Sequence, residues 1–221
     1  MGSAEVGSIS NYFRGSRADL RALRMLPALP ETEVEVSRVA TALKADDKSI
    51  LLGPEATEHA VKVLSNSGRL REYRIIHFAT HGLISGDLEG LNEPALVLTL
   101  PTEVSEDDDG LLTASEVSSL DLSADWAVLS ACNTSAGETM SADPLSGLAS
   151  AFFRAGAKSL LVSQWPVYSD AAVELISSAF NFAQDDQTVD HAEALRLAMV
   201  KMIDSGKASP ALWAPFFVVG D

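Results

Sequence analysis

Two histidines and the only cysteine of the chain carry the side chains best suited to chemistry. His77 and His81 lie four positions apart in the stretch HFATHG, and Cys132 lies in the stretch LSACNT. An imidazole near a thiol can act as its base, and the two groups then form the nucleophile and proton carrier of acyl transfer. The residue types therefore favour nucleophilic catalysis, although a lone cysteine is more often part of a core.

A zinc site at the two histidines is an alternative, and the local pattern argues against it. The residues RIIHFAT form a short apolar run that predicts a buried strand. At about 3.3 Å per residue, the side chains of His77 and His81 would stand roughly 13 Å apart, too far for one ion. We expect His77 to be a hydrogen-bonded core imidazole, and we expect neither a metal nor another cofactor.

The predicted strands bring His81 and Cys132 together. The residues WAVLSA form a second buried strand that ends directly before Cys132. Because the carboxyl ends of parallel strands meet at one edge of a sheet, both side chains should emerge at that edge. Gly82 follows His81 and lets the backbone turn sharply and present its N–H groups to a ligand.

The rest of the pattern alternates helices with strands. Helices are predicted over PETEVEVSRVATAL, TEHAVKVLSN, SDAAVELISSAFNFA and DHAEALRLAMVKMI, the last three capped by Thr57, Ser169 and Asp190. Thr113 and Glu116 form a capping box in TASE. Further strands are predicted over SILL, ALVLTL, KSLLVSQW and FFVV. The alternation predicts an α/β fold with a mostly parallel central sheet and helices on both faces.

Composition limits the function classes. The 221 residues are 47% hydrophobic, which predicts one compact domain. We place that domain at residues 26–221, after a weakly ordered lead-in of residues 1–25 whose MGS start looks like an added leader. The net charge of −15 argues against nucleic acid as a partner. No apolar run reaches the roughly 18 to 20 residues that span a bilayer, so we expect no membrane association and a cytoplasmic location.

The acidic stretch SEDDDGLLTASE has the spacing of a calcium-binding loop. Ser105 replaces the leading aspartate of such loops, and the preceding ALVLTLP indicates a strand rather than the entering helix. We interpret the stretch as a solvated loop, with calcium binding as the lesser alternative.

Several motifs, in this order and spacing, resemble the CHAT family of caspase-like cysteine peptidases. They are HFATHGL, PALVL, DGLLTASEV, ADWAVLSACNTSAG, DPLSGLASAFFRAGAKSLLVSQWPV and SDAAVEL. The resemblance implies a caspase-hemoglobinase fold, with His81 as general acid/base and Cys132 as nucleophile. It further implies an oxyanion hole made by the backbone N–H groups of Gly82 and Cys132. The residues alone reveal no third residue that would complete a catalytic triad with His81 and Cys132.

The resemblance also implies a pocket that selects the substrate side chain. In related separases an aspartate after a Trp-x-Val-Thr stretch pairs with a substrate arginine, and Asp170 in QWPVYSDAAV lies similarly. Trp165 would form a wall of the pocket, and Asp143 is the lesser candidate for its carboxylate. The alternative for Asp170 is that it only stabilises the N-terminus of a helix.

The expected function is therefore a cytoplasmic cysteine endopeptidase that cleaves a protein substrate after Arg or Lys through a thioester. The resemblance implies activation by a partner or by upstream repeats such as tetratricopeptide arrays, and a role in bacterial signalling or defence. The alternative is a catalytically silent caspase-like interaction module.

Overall fold

A computed structural model describes residues 20–105, 108–131, 147–165, 168–186 and 188–220. Its helices are α1 (Leu20–Arg24), α2 (Pro30–Leu43), α3 (Glu58–Asn66), α4 (Ala114–Ser118), α5 (Leu148–Ala155), α6 (Ser169–Asp185), α7 (His191–Asp204) and α8 (Pro210–Trp213). Its strands are β1 (Ile75–Ala79), β2 (Gly82–Leu83), β3 (Ala95–Val97), β4 (Leu111–Thr113), β5 (Trp126–Ser130), β6 (Ser159–Ser163) and β7 (Phe216–Gly220).

The central sheet has the strand order β1-β5-β6-β7. Strands β1, β5 and β6 are parallel, and β7 pairs antiparallel with β6. The chain thus has the predicted mixed α/β fold with a mostly parallel sheet, consistent with a caspase-like architecture. Strands β2, β3 and β4 form a small antiparallel sheet directly after the carboxyl end of β1.

Helices cover both faces of the central sheet because its strands are apolar on both sides. In β5, Trp126 and Val128 pack in a cluster with α2, α6 and α7. Ala127 and Leu129 point to the opposite cluster, which includes residues of α3, α4 and α5. Full burial of one large apolar side chain contributes roughly 1.5–3 kcal/mol, so this alternation holds the helices on their respective faces.

Local sequence signals set most element ends. Helix α2 covers the predicted residues, and the caps at Thr57 and Asp190 are confirmed. The capping box of Thr113 and Glu116 is also present. The Ser169 cap is wrong, because Tyr168 takes the extended N-cap conformation and Ser169 is already the first residue of α6.

The predicted strand SILL is not a paired strand. Ile50–Leu52 are extended, but they lie between 3₁₀ turns at Asp47–Ser49 and Gly53–Glu55. A strand needs a partner for its backbone groups, and no described residue pairs with this segment as a strand. Across the described ranges, no helix combines the length and apolarity needed to cross a bilayer.

Candidate functional site

His81 lies at the carboxyl edge of the sheet, between the end of β1 and the start of β2. Its Nε2 lies 2.8 Å from the backbone carbonyl oxygen of Pro27. A carbonyl oxygen can only accept, so Nε2 carries the hydrogen and donates it. The neutral imidazole then has its basic lone pair on Nδ1, which is the nitrogen left for chemistry.

The carbonyl of Pro27 is a part of the site that sequence reasoning missed. Pro27 lies in the short connection between α1 and α2, and Leu23 of α1 anchors this connection with only 4% of its surface exposed. A backbone carbonyl leaves no side-chain signature, and 54 positions separate it from His81. The contact fixes the orientation of the His81 imidazole.

Cys132 lies outside the described residues, and the strand that leads to it is well placed. Ala79 at the end of β1 is paired with Ser130 at the end of β5. The Thr80 N–H donates to the Ser130 carbonyl over 3.2 Å, which continues the register beyond β1. In the sequence, His81 and Cys132 each come two residues after this aligned pair. The segments that lead to them therefore leave the sheet at the same level.

Gly82, the other predicted oxyanion-hole residue, opens β2 opposite Leu96 of β3. The neighbouring pair is hydrogen-bonded, since the Val97 N–H donates to the His81 carbonyl over 2.9 Å. Opposed residues in antiparallel strands alternate between bonded and non-bonded pairs. The N–H of Gly82 is therefore directed away from β3, and its role in an oxyanion hole stays a prediction.

Two of the predicted specificity residues, Trp165 and Asp170, follow the carboxyl end of β6. Strand β6 is parallel to β5, and Trp165, 39% exposed, follows two residues after its end. Asp170 is exposed in the first turn of α6, where a negative charge is favourable to the helix dipole. Asp143 lies outside the described residues. The helix-stabilising interpretation of Asp170 is compatible with this position, and its role in a pocket stays a prediction.

His77 is a hydrogen-bonded core imidazole, as expected. Its Nε2 lies 2.7 Å from Oε1 of Glu35 in α2, and Glu35 is only 2% exposed. The other carboxylate oxygen of Glu35 accepts from Ser130 Oγ at 3.0 Å. One buried carboxylate thus joins β1 and β5 just below the edge that carries the site.

Glu35 was also missed at the sequence level, although a signal exists. It lies four positions before the buried Val39, so both occupy the inward face of α2. An acid on the apolar face of an amphipathic helix predicts a buried polar partner.

The acidic stretch is tied into the fold by Glu58 and Lys62 of α3. Glu58 Oε2 accepts from the N–H groups of Asp109 and Gly110 at 2.9 and 3.0 Å. Lys62 Nζ lies 2.6 Å from Glu58 and 2.7 Å from Glu116, between the two carboxylates. Burial raises the pKa of Glu58 to about 7. The Lys62 ammonium thus occupies the position between the carboxylates of Glu58 and Glu116. Among the described residues there is no group of three or more potential metal ligands.

Comparison with known proteins agrees with the motifs. The family model described as the CHAT domain matches residues 9–221. Tetratricopeptide repeat protein 28 of Mus musculus is 29% identical over 224 residues, and the human protein of that name is 29% identical over 223 residues. Each alignment covers 87% of this chain and 8% of the relative, so the chain spans only a small part of these relatives.

Proposed function

Because the chain belongs to the CHAT domain family, within the caspase-like peptidase clan, we propose that it is a cysteine endopeptidase. Residues 26–221 form the peptidase domain, Cys132 is its nucleophile and His81 is its general acid/base. One observation carries the proposal. The Pro27 carbonyl holds Nε2 of His81 and leaves Nδ1 as the base at the edge where the strand before Cys132 ends.

The proposed reaction is acyl transfer in two halves. His81 Nδ1 takes the thiol proton, and the thiolate of Cys132 attacks the peptide carbonyl carbon to form a tetrahedral oxyanion. The backbone N–H groups of Gly82 and Cys132 donate to that oxyanion. The C–N bond breaks, the leaving amine takes the proton from His81, and a thioester remains. His81 then activates a water molecule that hydrolyses the thioester and regenerates the thiol.

We propose that the enzyme cleaves after Arg or Lys. The carboxylate of Asp170 pairs with the substrate cation, Trp165 forms a wall of the pocket, and Asp143 is the lesser candidate for the carboxylate. The net charge of −15 supports a basic substrate segment, because the field of the protein attracts it.

The proposed setting is cytoplasmic, in signalling or defence, with a protein substrate and an activating partner or upstream repeat domain. The curated relatives are named for tetratricopeptide repeats, and their alignments cover 8% of their length. This context supports regulation by repeats that accompany the peptidase domain.

The test is intact-protein mass after incubation with acyloxymethyl-ketone peptides that end in Arg, Lys, Leu or Asp. We expect a single adduct with the Arg and Lys peptides, lost in Cys132→Ala and strongly slowed in His81→Asn. The chain has one cysteine, so the site of modification is unambiguous. Labelling by the Leu or Asp peptide, unchanged in Asp170→Asn, would retain the peptidase and reject the basic specificity.

A matched chemical test does not depend on the substrate sequence. Iodoacetamide should alkylate Cys132 at pH 6.5 at least about tenfold faster in the native protein than in His81→Asn, because the imidazole base generates the thiolate. Equal rates in the two folded proteins would reject the dyad and favour the catalytically silent interaction module.

A further inference from the structure

Thr80 joins the two sheets at the point where β1 ends and His81 follows. Its N–H donates to the Ser130 carbonyl over 3.2 Å and so continues the pairing of β1 with β5. Its side-chain hydroxyl donates to the carbonyl of Val97, the last residue of β3. Thr80 is thus bonded to the central sheet through its backbone and to the small sheet through its side chain.

The contacts of Val97 depart from those of a regular antiparallel ladder. In such a ladder, the two residues of a hydrogen-bonded pair each donate to the other and accept from it. The Val97 N–H donates to the His81 carbonyl over 2.9 Å, as this pattern requires. The Val97 carbonyl accepts instead from the hydroxyl of Thr80, one residue earlier in the chain. The hydroxyl therefore takes the place that the His81 N–H has in a regular pair.

The strand end that carries Val97 is itself fixed. The N–H of Leu98 donates to the Gly110 carbonyl over 2.8 Å, directly before β4. The hydroxyl of Thr99 donates to the Gly53 carbonyl over 2.6 Å. Val97 is therefore a firm point of attachment, because the residues that follow it are bonded to two other segments of the chain.

His81 is held at three points as a result. The residue before it, Thr80, is bonded to both sheets, and the carbonyl of His81 accepts from Val97. The third point is the imidazole, whose Nε2 donates to the Pro27 carbonyl over 2.8 Å. The first two contacts fix the backbone of His81 and thereby limit the side-chain rotamers from which Nε2 can reach Pro27.

Loss of the Thr80 hydroxyl would leave the Val97 carbonyl without this donor. Val97 is half-buried, and a carbonyl that is shielded from water and lacks a donor is unfavourable. A regular ladder offers this carbonyl one donor, the His81 N–H. A shift of the chain that forms this bond would turn the backbone of His81 and move its imidazole relative to the Pro27 carbonyl.

We propose that Thr80 is a positioning residue for His81. Its hydroxyl occupies the Val97 carbonyl and holds the His81 backbone in the orientation in which Nε2 meets the Pro27 carbonyl and Nδ1 is left as the base. Thr80 acts through His81 and contacts no reacting atom itself. The effect on catalysis rests on the proposed peptidase function, whereas the effect on the imidazole concerns the geometry of His81 alone.

The imidazole ¹⁵N shifts of His81 test the proposal in the full chain. At about pH 8.5 a histidine with an ordinary pKa is neutral, so the shifts report the ratio of its two tautomers. We expect the Nε2–H tautomer to predominate in the native protein, because Nε2 donates to Pro27. Thr80→Val keeps the shape of the side chain and removes the hydroxyl. It should lower the ratio of Nε2–H to Nδ1–H about two- to tenfold, the equilibrium equivalent of one lost hydrogen bond.

Thr80→Ser and Thr80→Ala differ from each other only in the hydroxyl, and they keep the test valid if Thr80→Val does not fold. Thr80→Ser should retain the native tautomer ratio, and Thr80→Ala should lower it. The matched control is Thr99→Val, which removes a hydroxyl bond of the same kind from the same strand end. It should leave the ratio at His81 unchanged.

Three results would overturn the proposal. The first is an unchanged ratio in folded Thr80→Ala or Thr80→Val, and the second is a loss in Thr80→Ser as large as that in Thr80→Ala. The third is an equal loss in Thr99→Val, which would indicate a general loosening of the small sheet.

Peptide cleavage supplies a second readout. Thr80→Ala should have a kcat about 10- to 100-fold below that of Thr80→Ser with an unchanged KM, because a misplaced base slows the chemical step while the substrate contacts remain. A higher KM with an unchanged kcat would assign Thr80 to substrate binding and overturn the proposal. If the peptide ketones fail to label Cys132 in the native chain, the peptidase is rejected, and the tautomer ratios still decide whether Thr80 positions His81.

Discussion

Replacement of Glu35 by alanine should be among the most destabilising single changes in the protein. The Glu35 carboxylate is 2% exposed and accepts from His77 Nε2 at 2.7 Å and Ser130 Oγ at 3.0 Å. The Glu35→Ala variant leaves both donors buried without an acceptor. Each unsatisfied buried donor costs about 1–3 kcal/mol, and loss of one partner of a buried pair typically costs about 3–5 kcal/mol in total.

The expected effect is therefore a loss of about 3–5 kcal/mol in the free energy of unfolding. For a domain of this size that loss lowers the melting temperature by about 6–20 °C. Urea unfolding followed by tryptophan fluorescence measures it, since Trp126 is buried beside this cluster. Glu33→Ala is the matched control, because Glu33 is an exposed acid on the same helix and should change stability by less than about 0.5 kcal/mol.

A double-mutant cycle with Ser130→Ala separates the network from simple loss of packing. Ser130→Ala alone should cost about 1 kcal/mol, and its cost should largely vanish when Glu35 is already alanine. Additive effects of the two substitutions, or a Glu35→Ala loss below about 1 kcal/mol, would refute the assignment of a buried carboxylate that joins two strands.

Three further predictions concern other parts of the chain. In the folded state, burial raises the pKa of Glu58 from 4.5 to about 7. The folded state therefore binds the carboxyl proton more tightly than the unfolded state does, and the stability that this binding adds is lost as pH rises from 4.5 through about 7. Unfolding measured from pH 4.5 to 7 should show this slope in the native protein and not in Glu58→Gln, and identical slopes would contradict the shift. Gly156→Ala should lower the free energy of unfolding by at least about 2 kcal/mol. Gly156 has φ +114°, and an added Cβ would lie 2.4 Å from the Leu122 carbonyl oxygen. An unchanged midpoint in urea unfolding would contradict this close contact. Asp170→Asn should lower kcat/KM about 10- to 100-fold for Arg peptides but not for Leu peptides, and an equal loss for both would assign Asp170 to helix stability alone.

Local patterns predicted most of the fold. The apolar periodicity of α2 and the caps at Thr57 and Asp190 depend on interactions within a few residues, so the sequence alone specifies them. The prediction of a strand over SILL was wrong for the opposite reason. Its residues favour an extended backbone, and Ile50–Leu52 are extended, but pairing requires a neighbour that local sequence does not specify.

By itself, the sequence determined the motifs around His81 and Cys132, the family they indicate and the mostly parallel sheet at whose carboxyl edge both residues are predicted to lie. The tertiary structure decided that the Pro27 carbonyl orients His81 and that Glu35 joins two strands beneath the site. These contacts join residues 54 and 42 positions apart, for Pro27 with His81 and Glu35 with His77. The physical reason is that segments so far apart in the chain meet only when the whole domain folds, and that a backbone group such as the Pro27 carbonyl looks the same at every position.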